Sequence, residues 1–175
     1  MKFSDLEIRG ATANDVSEIL AIVSGAQHRL AAAGIDQWQN GYPNREVIEN
    51  DIRSSVARVV CLAGRVVAYG AVVYTGERAY ENLQGGRWLT AGCGYATVHR
   101  LCVSEGVVGR GVGRGFMEFV ESEALRQGVA SVRVDTHPDN GTMQHLLSAL
   151  GYIYCGEVCY ESPRLAYEKL VVGSL

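Results

Sequence analysis

A glycine-rich turn near the middle of the chain is the segment best suited to chemistry. Val108–Gly115 reads VGRGVGRG, with glycines at alternate positions and two arginines among them. The apolar residues that follow, beginning at Phe116, predict that a helix opens here. Glycine lets consecutive backbone amides face one ligand, and the positive end of the helix dipole points to the same place. The turn therefore predicts a phosphate-binding site, to which Arg110 and Arg114 add charged donors.

Two common nucleotide-binding motifs do not fit this turn. In the dinucleotide pattern GxGxxG, the third glycine falls on Arg114 or Phe116, depending on where the pattern begins. The phosphate-loop pattern fails because no Gly-Lys-Ser/Thr follows. Two alternatives stay open from these residues alone. The turn is either a tight strand-to-helix connection without a ligand, or part of a nucleotide-binding enzyme that has neither of these two motifs.

The segments around the turn indicate a mixed α/β protein in the order β-α-α-β-β-β-α-β-α-β-β. Apolar alternation predicts strands at about 6–8, 58–62, 66–74, 95–103, 130–135, 152–160 and 165–171. Helical spacing and end signals predict helices between about 14 and 34, 45 and 52, 111 and 128, and 140 and 151. Residues 75–94 read as a loop whose large apolar side chains, Tyr80, Leu83, Trp88 and Leu89, attach to the core. No linker or repeat is visible, so we expect a single domain over residues 1–175.

Composition excludes several classes of protein. The chain has 175 residues, of which 47% are hydrophobic and 20% charged, with a net charge of −3, which argues against general nucleic-acid binding. It shows no signal-peptide start and no apolar run of membrane-spanning length. From these two absences we expect no association with a membrane. The five cysteines have no metal-ligand spacing, so we expect reduced thiols, no bound metal and a cytoplasmic location. They are Cys61, Cys93, Cys102, Cys155 and Cys159.

The strand, the turn and a later helix together resemble the GNAT N-acetyltransferase superfamily. Leu101–Val103, a five-residue spacer, Gly109–Gly113 and an amphipathic helix are similar to its acetyl-coenzyme A motif. Asn140, followed eleven residues later by Gly151-Tyr152, is similar to its Asn…Gly-Phe helix. The resemblance spans nearly the whole chain. It implies an α/β (α+β) fold with a mixed, mostly antiparallel central sheet, splayed central strands and flanking helices.

The resemblance also implies a residue set for acetyl-coenzyme A. Free backbone groups of the strand, at Leu101, Cys102 and Val103, would pair with the pantetheine arm, and Asn140 would bond it from the second helix. The pyrophosphate would lie on the turn, at Val108, Gly109, Arg110, Gly111, Val112, Gly113 and Arg114. Two positions depart from the superfamily pattern: Val108 stands where Gln or Arg is usual, and Leu147 stands where many relatives carry the tyrosine that protonates the thiolate.

The implied reaction is direct transfer of an acetyl group to a primary amine of a small molecule or peptide. A lysine-like amine has a pKa of about 10.4, so presenting it neutral at pH 7 costs about 4–5 kcal/mol and favours a general base. His99 is the first candidate, because relatives often carry a carboxylate on this strand, and His137 is the second. The alternatives are that His99 packs in the core with Leu101 and Val103, and that His137 is an ordinary loop residue. Cys102 is either an acylated nucleophile or a small buried thiol.

Trp38 and Tyr42 mark a candidate acceptor pocket. They lie between the first two helices, in a loop that borders the acceptor cleft of the superfamily; alternatively, they pin that loop to the core. Asp36–Pro43 and His99-Arg100 also resemble an uncharacterised bacterial subgroup of GNAT proteins. The leading hypothesis is an acetyl-coenzyme A-dependent N-acetyltransferase, with a homodimer possible as in relatives. The alternative is a non-catalytic acyl-coenzyme A sensor on the same fold.

Overall fold

The order of strands and helices agrees with the sequence prediction. The computed structural model describes residues 6–91 and 94–171, so Cys93 lies outside the described residues. The strands are β1 Leu6–Gly10, β2 Ala57–Leu62, β3 Arg65–Val73, β4 Tyr95–Val103, β5 Ser131–Thr136, β6 Ile153–Cys159 and β7 Pro163–Leu170. The helices are α1 Val16–Ala32, α2 Arg45–Arg53, α3 Val112–Arg126 and α4 Gly141–Ala149. Among the described residues, no helix combines the length and the apolar character needed to cross a membrane.

The strands form one mixed sheet in the order β1-β2-β3-β4-β5-β7-β6. It is mostly antiparallel, as the fold class required, but β4 and β5 run parallel, from Tyr95 opposite Ser131 to Val98 opposite Val134. Strand β4 continues to Val103. Its last five residues therefore lie beyond the last registered pair with β5.

The residues group into two compact units, each with more contacts within itself than with the other. The first comprises Met1–Val72 and Arg100–Phe116. Its core forms where the apolar stripe of α1, spaced at i, i+3, i+4 and i+7 from Ile19, packs with α2 and the β1–β2–β3 meander. The fully or nearly buried members include Ile19, Val23, Ile48, Val59, Tyr69 and Cys102.

A glycine on β3 permits the close approach of α3 in the first unit. A Cβ added to Gly70 would lie 2.7 Å from Cζ of Phe116, so any larger residue would displace the ring. Phe116 is itself fully buried and lies in the second turn of α3. The pair therefore helps to fix where α3 begins, which is where the glycine-rich turn ends.

The second unit comprises Val73–His99 and Met117–Leu175. Tyr80, Val158 and Ala166 form a small core against which Leu83 and Trp88 pack, as predicted for the long loop. The same prediction was wrong for Leu89, whose side chain is 43% exposed. Its backbone amide carries the contact instead, because it donates to the carboxylate of Glu168 at 2.5 Å.

Glu168 on β7 is the centre of a buried polar network in the second unit. Its carboxylate accepts from Arg133 Nε at 3.0 Å, from Thr90 Oγ1 at 2.6 Å and from Ser131 Oγ at 2.5 Å. The Arg133 guanidinium lies between the rings of Trp88 and Tyr95, 4.1 and 3.9 Å from their centroids. Burial alone would raise the pKa of Glu168, but these donors outweigh it and hold the pKa below its usual range.

Removing this carboxylate should destabilise the fold strongly. We expect Glu168→Ala to lower the free energy of unfolding by about 3–5 kcal/mol, because it leaves the Arg133 charge buried and unpaired. Because the folded pKa is lowered, the carboxylate's contribution is complete above its unfolded pKa of about 4.3 and is lost as pH falls through the folded pKa. Urea unfolding of the wild type and of Glu168→Ala at pH 7 and pH 3 measures both effects.

Glu168→Gln is the matched control, since it keeps the shape and an acceptor oxygen. We expect a smaller loss at pH 7 and a flatter dependence on acid than the wild type shows. Equal stability of the wild type and Glu168→Ala at pH 7 would contradict the central place of this network.

Candidate active site

The glycine-rich turn lies at the surface and leads directly into α3. Val108, Gly109 and Arg110 are exposed, and α3 begins at Val112. Gly109 and Gly111 have φ angles of +76° and +84°, the left-handed region that glycine enters without steric cost. A Cβ at Gly109 would meet nothing within 4 Å, so the space above the turn is open to a ligand.

The hydrogen bonds within the turn separate amides that are engaged from those at the helix start. The Val108 amide donates to the Glu105 carbonyl at 3.3 Å, and the Arg110 amide donates to the Val107 carbonyl at 3.2 Å. The Val108 and Arg110 amides therefore each close a turn within the chain. The first bond of α3 runs from the Gly115 amide to the Gly111 carbonyl at 2.9 Å. The amides of Val112 and Gly113 thus lie in the first turn, where a helix supplies no acceptor.

The last three residues of β4 differ in burial, and the final carbonyl is bonded to a side chain from α1. Leu101 and Val103 are half-buried, whereas Cys102 is buried in the core of the first unit. The Val103 carbonyl accepts a hydrogen bond from Nη2 of Arg29, on α1, at 2.7 Å. Nothing in the sequence pattern indicated this contact, because the two residues are 74 positions apart.

Cys102 is a buried core thiol in this structure. Burial raises its pKa to about 12, against a smaller opposing effect of the Arg29 charge. A thiol with such a pKa is almost entirely protonated at pH 7 and is a poor nucleophile. The geometry favours the reading of Cys102 as packing rather than as an acyl carrier.

His99 is paired with a carboxylate that the sequence did not single out. Its Nε2 lies 3.3 Å from Oε2 of Glu77, and both side chains are largely covered. Leu101 and Val103, which share the parity of His99 along the chain, are half-buried, whereas Ala96, Val98 and Cys102 are the buried apolar residues of β4.

A second carboxylate lies close to His99. Asp135 follows Val134, the β5 partner of Val98. Burial raises the pKa of Asp135, while the Tyr80 hydroxyl, which donates to its Oδ1 at 2.7 Å, opposes the rise. His99, Glu77 and Asp135 thus form a titratable cluster within the second unit.

His137 and Asn140 lie at the junction of β5 and α4. Nδ1 of His137 accepts from the Asp139 amide at 3.1 Å, which fixes the imidazole against its own loop. Asn140 caps α4, with its Oδ1 accepting from the Met143 amide at 3.1 Å. Leu147 is fully buried in α4, so this position supplies no acid.

The loop between α1 and α2 brings together two segments that the sequence singled out separately. Trp38 packs against the core of the first unit, as the loop-pinning alternative required. Tyr42 is 37% exposed, and its hydroxyl accepts from Nη1 of Arg100 at 2.7 Å. The Tyr42 segment and the His99-Arg100 dipeptide therefore meet through a side-chain hydrogen bond.

Comparison with known proteins agrees with this architecture. The model of the acetyltransferase (GNAT) family matches residues 27–152, and the chain belongs to that family. A GNAT-family acetyltransferase from Streptococcus agalactiae is 36% identical, covers 97% of this chain and 98% of its own, and superposes with a TM-score of 0.88. A GNAT-family acetyltransferase from Listeria monocytogenes (20% identity, 94% of each chain, TM-score 0.73) shares the fold. A search of curated proteins finds no significant match.

The same fold is found in acetyltransferases with a named acceptor. A ribosomal-protein-alanine N-acetyltransferase from Brucella melitensis is 19% identical, covers 94% of this chain and 99% of its own, and has a TM-score of 0.66. At that identity the likeness establishes the fold and not the acceptor.

Thiol labelling will check the burial that excludes Cys102 as a nucleophile. Among the cysteines that the structure describes, Cys61, Cys102 and Cys155 are buried and Cys159 is exposed. We expect iodoacetamide at pH 8 to modify Cys159 rapidly and to leave Cys102 unmodified in the native protein, as read by peptide mass spectrometry. Labelling after unfolding in urea is the control. Rapid native modification of Cys102 would contradict its assignment as a core thiol.

Proposed function

We propose that this acetyltransferase carries an acetyl group from acetyl-coenzyme A to a primary amine of a small molecule or peptide. The observation that carries the proposal is the exposed turn at Val108–Arg110, which leads into the N-terminus of α3. The unpaired amides of the first turn of α3 and the positive end of its dipole lie together there, which suits the pyrophosphate of the coenzyme.

The chemistry of several residues of the first unit supports this coenzyme. The amides of Val112 and Gly113, the exposed Arg110 and the open space at Gly109 suit a pyrophosphate. The strand end at Leu101–Val103 offers backbone groups for the pantetheine arm. The Arg29 contact on the Val103 carbonyl occupies one of that oxygen's two acceptor positions.

For the transfer itself, the chain must polarise the thioester and take a proton from the acceptor amine. As the new C–N bond forms, the C–S bond breaks and the coenzyme A thiolate leaves, taking up a proton from solvent. A β4 amide near Cys102 is proposed for the first task, as an oxyanion-hole donor. His99, oriented by Glu77 at 3.3 Å, is the proposed base for the second, and acts directly or through water. The buried Cys102 thiol favours direct transfer to the amine over an acyl-enzyme.

The charge of the chain bears on the acceptor. The net charge of −3 favours a neutral or cationic amine. We propose that the reaction takes place in a single domain in the cytoplasm. The substrate pocket is proposed to involve Tyr42, with Trp38 holding its loop to the core.

A non-catalytic acyl-coenzyme A sensor is the second candidate function, and one observation favours it. Leu147 is fully buried at the position where relatives carry the acid tyrosine. Thiol release from acetyl-coenzyme A across a panel of amines separates the two candidates: release with any amine supports the enzyme, whereas binding without release supports the sensor.

Coenzyme binding at the turn should be sensitive to charge at the start of α3. We expect acetyl-coenzyme A at 100 times its dissociation constant to stabilise the wild type by about 2.7 kcal/mol, and ATP and NAD to have no comparable effect. Gly113→Glu should abolish the shift, because a carboxylate there repels the pyrophosphate. Differential scanning fluorimetry measures both.

Gly113→Gln is the control for this variant, since it adds the same bulk without the charge. We expect it to retain part of the shift. If Gly113→Glu binds acetyl-coenzyme A as tightly as the wild type, the pyrophosphate does not lie on this turn. If the wild type binds no coenzyme A species, both candidate functions fail.

The two histidines should differ in their effect on turnover. With an amine that the panel identifies, we expect His99→Ala to lower kcat by roughly 100-fold or more, because a positioned base contributes about 10²–10⁴. The KM for acetyl-coenzyme A should change little. His137→Ala is the comparison and should retain most of kcat, since its ring is held by its own loop. The reverse ranking would transfer the role of base to His137.

A further inference from the structure

Arg100 departs from strand geometry immediately before the proposed coenzyme strand. Its φ is +59°, although it lies inside β4, next to Leu101–Val103. A residue with a Cβ avoids this region, because the side chain crowds the backbone carbonyl. Left to itself, an arginine at this position would relax to the extended conformation, and the amides that follow would turn with it.

The Arg100 side chain is held by a buried ion pair from another element. Its Nε and Nη2 donate to the two carboxylate oxygens of Asp51, on α2, at 2.9 and 2.8 Å. Asp51 is 5% exposed and also accepts from the hydroxyl of Tyr69. A bidentate pair of this kind fixes both the position and the plane of the guanidinium.

The third nitrogen of the same guanidinium holds the loop between α1 and α2. Nη1 of Arg100 donates to the Tyr42 hydroxyl at 2.7 Å, and the Tyr42 carbonyl accepts from Nε2 of Gln27 at 3.0 Å. A single side chain thus joins β4, α2 and the loop in which the candidate acceptor residues lie. All of these residues belong to the first unit.

We propose that Arg100 is a positioning residue for acetyl transfer. Its fork to Asp51 holds residue 100 in the left-handed conformation and so aims the backbone of Leu101–Val103, while its bond to Tyr42 keeps the acceptor loop in register with that strand. The inference rests on the proposed function, because it concerns the strand assigned to acetyl-coenzyme A. It adds a role for a side chain that need not touch either substrate.

Glycine and alanine at position 100 separate a positioning role from simple loss of the ion pair. Glycine adopts a positive φ without the steric cost that alanine carries. Both substitutions are made with Asp51→Asn, so that no carboxylate is left buried and unpaired in either variant. We expect Asp51→Asn/Arg100→Ala to bind acetyl-coenzyme A roughly tenfold more weakly than Asp51→Asn/Arg100→Gly. Isothermal titration calorimetry measures both dissociation constants.

The two variants differ by one methyl group, and both lack the ion pair. If the ion pair served only to stabilise the fold, the glycine variant would not bind acetyl-coenzyme A more tightly than the alanine variant. Arg45→Ala, which removes an exposed ion pair with Glu49 on α2, is the control and should bind as the wild type does. Equal affinity of the glycine and alanine variants would overturn the positioning role while leaving the proposed function intact. Failure of the wild type to bind acetyl-coenzyme A would overturn the proposed function itself.

Tyr42→Phe tests the coupling without disturbing the buried pair. The phenol is partly exposed, so the variant should fold, and it lacks only the acceptor of the Arg100 bond. Since a hydrogen bond to a charged group is among the stronger ones, we expect amide hydrogen exchange to quicken about fivefold in the 36–42 loop. Exchange at Leu101–Val103 should also quicken. Unchanged exchange in both segments would overturn the proposed coupling.

Discussion

The structure depends on how the backbone of β4 is satisfied after its pairing with β5 ends at Val98. Backbone donors and acceptors must find partners, and beyond this point the neighbouring parallel strand no longer supplies them. Arg29 meets the Val103 carbonyl, and the Ser104 amide donates to the Val67 carbonyl at 2.8 Å. A strand that ends in this way is well suited to a ligand that carries its own amides, and the glycine-rich turn begins five residues after it, at Val108.

Each compact unit contains a buried carboxylate whose charge is balanced by an arginine. In the first unit, Arg100 and Asp51 join a strand to a helix; in the second, Arg133 and Glu168 join two strands. Neither charge could remain in the interior without its partner and further donors. The first pair sets a backbone angle beside the proposed coenzyme site. The second pair, Arg133 and Glu168, binds the loop at Thr90 to the sheet. We assign it no part in the reaction.

Much of the fold was predictable from local patterns. The strand at Tyr95–Val103 and the helix that begins near Gly111 were correctly placed, because alternation and glycine stops depend on near neighbours. The site was predictable only in part. Glu77 and Asp135 beside His99, Arg29 on Val103, and the Asp51 pair of Arg100 are contacts across many residues, and no spacing rule in a single sequence indicates them.

The sequence by itself determined the order of elements, the glycine-rich turn and the family, since each is written in residue types at short spacing. The tertiary structure alone decided which amides of the turn are already engaged, that Cys102 is buried beyond useful ionisation, and which carboxylates accompany His99. It also showed that Arg100 is hydrogen-bonded to the hydroxyl of Tyr42, in the loop between α1 and α2. The physical reason is that pKa, burial and hydrogen bonding depend on neighbours in space, and chain order does not specify those neighbours.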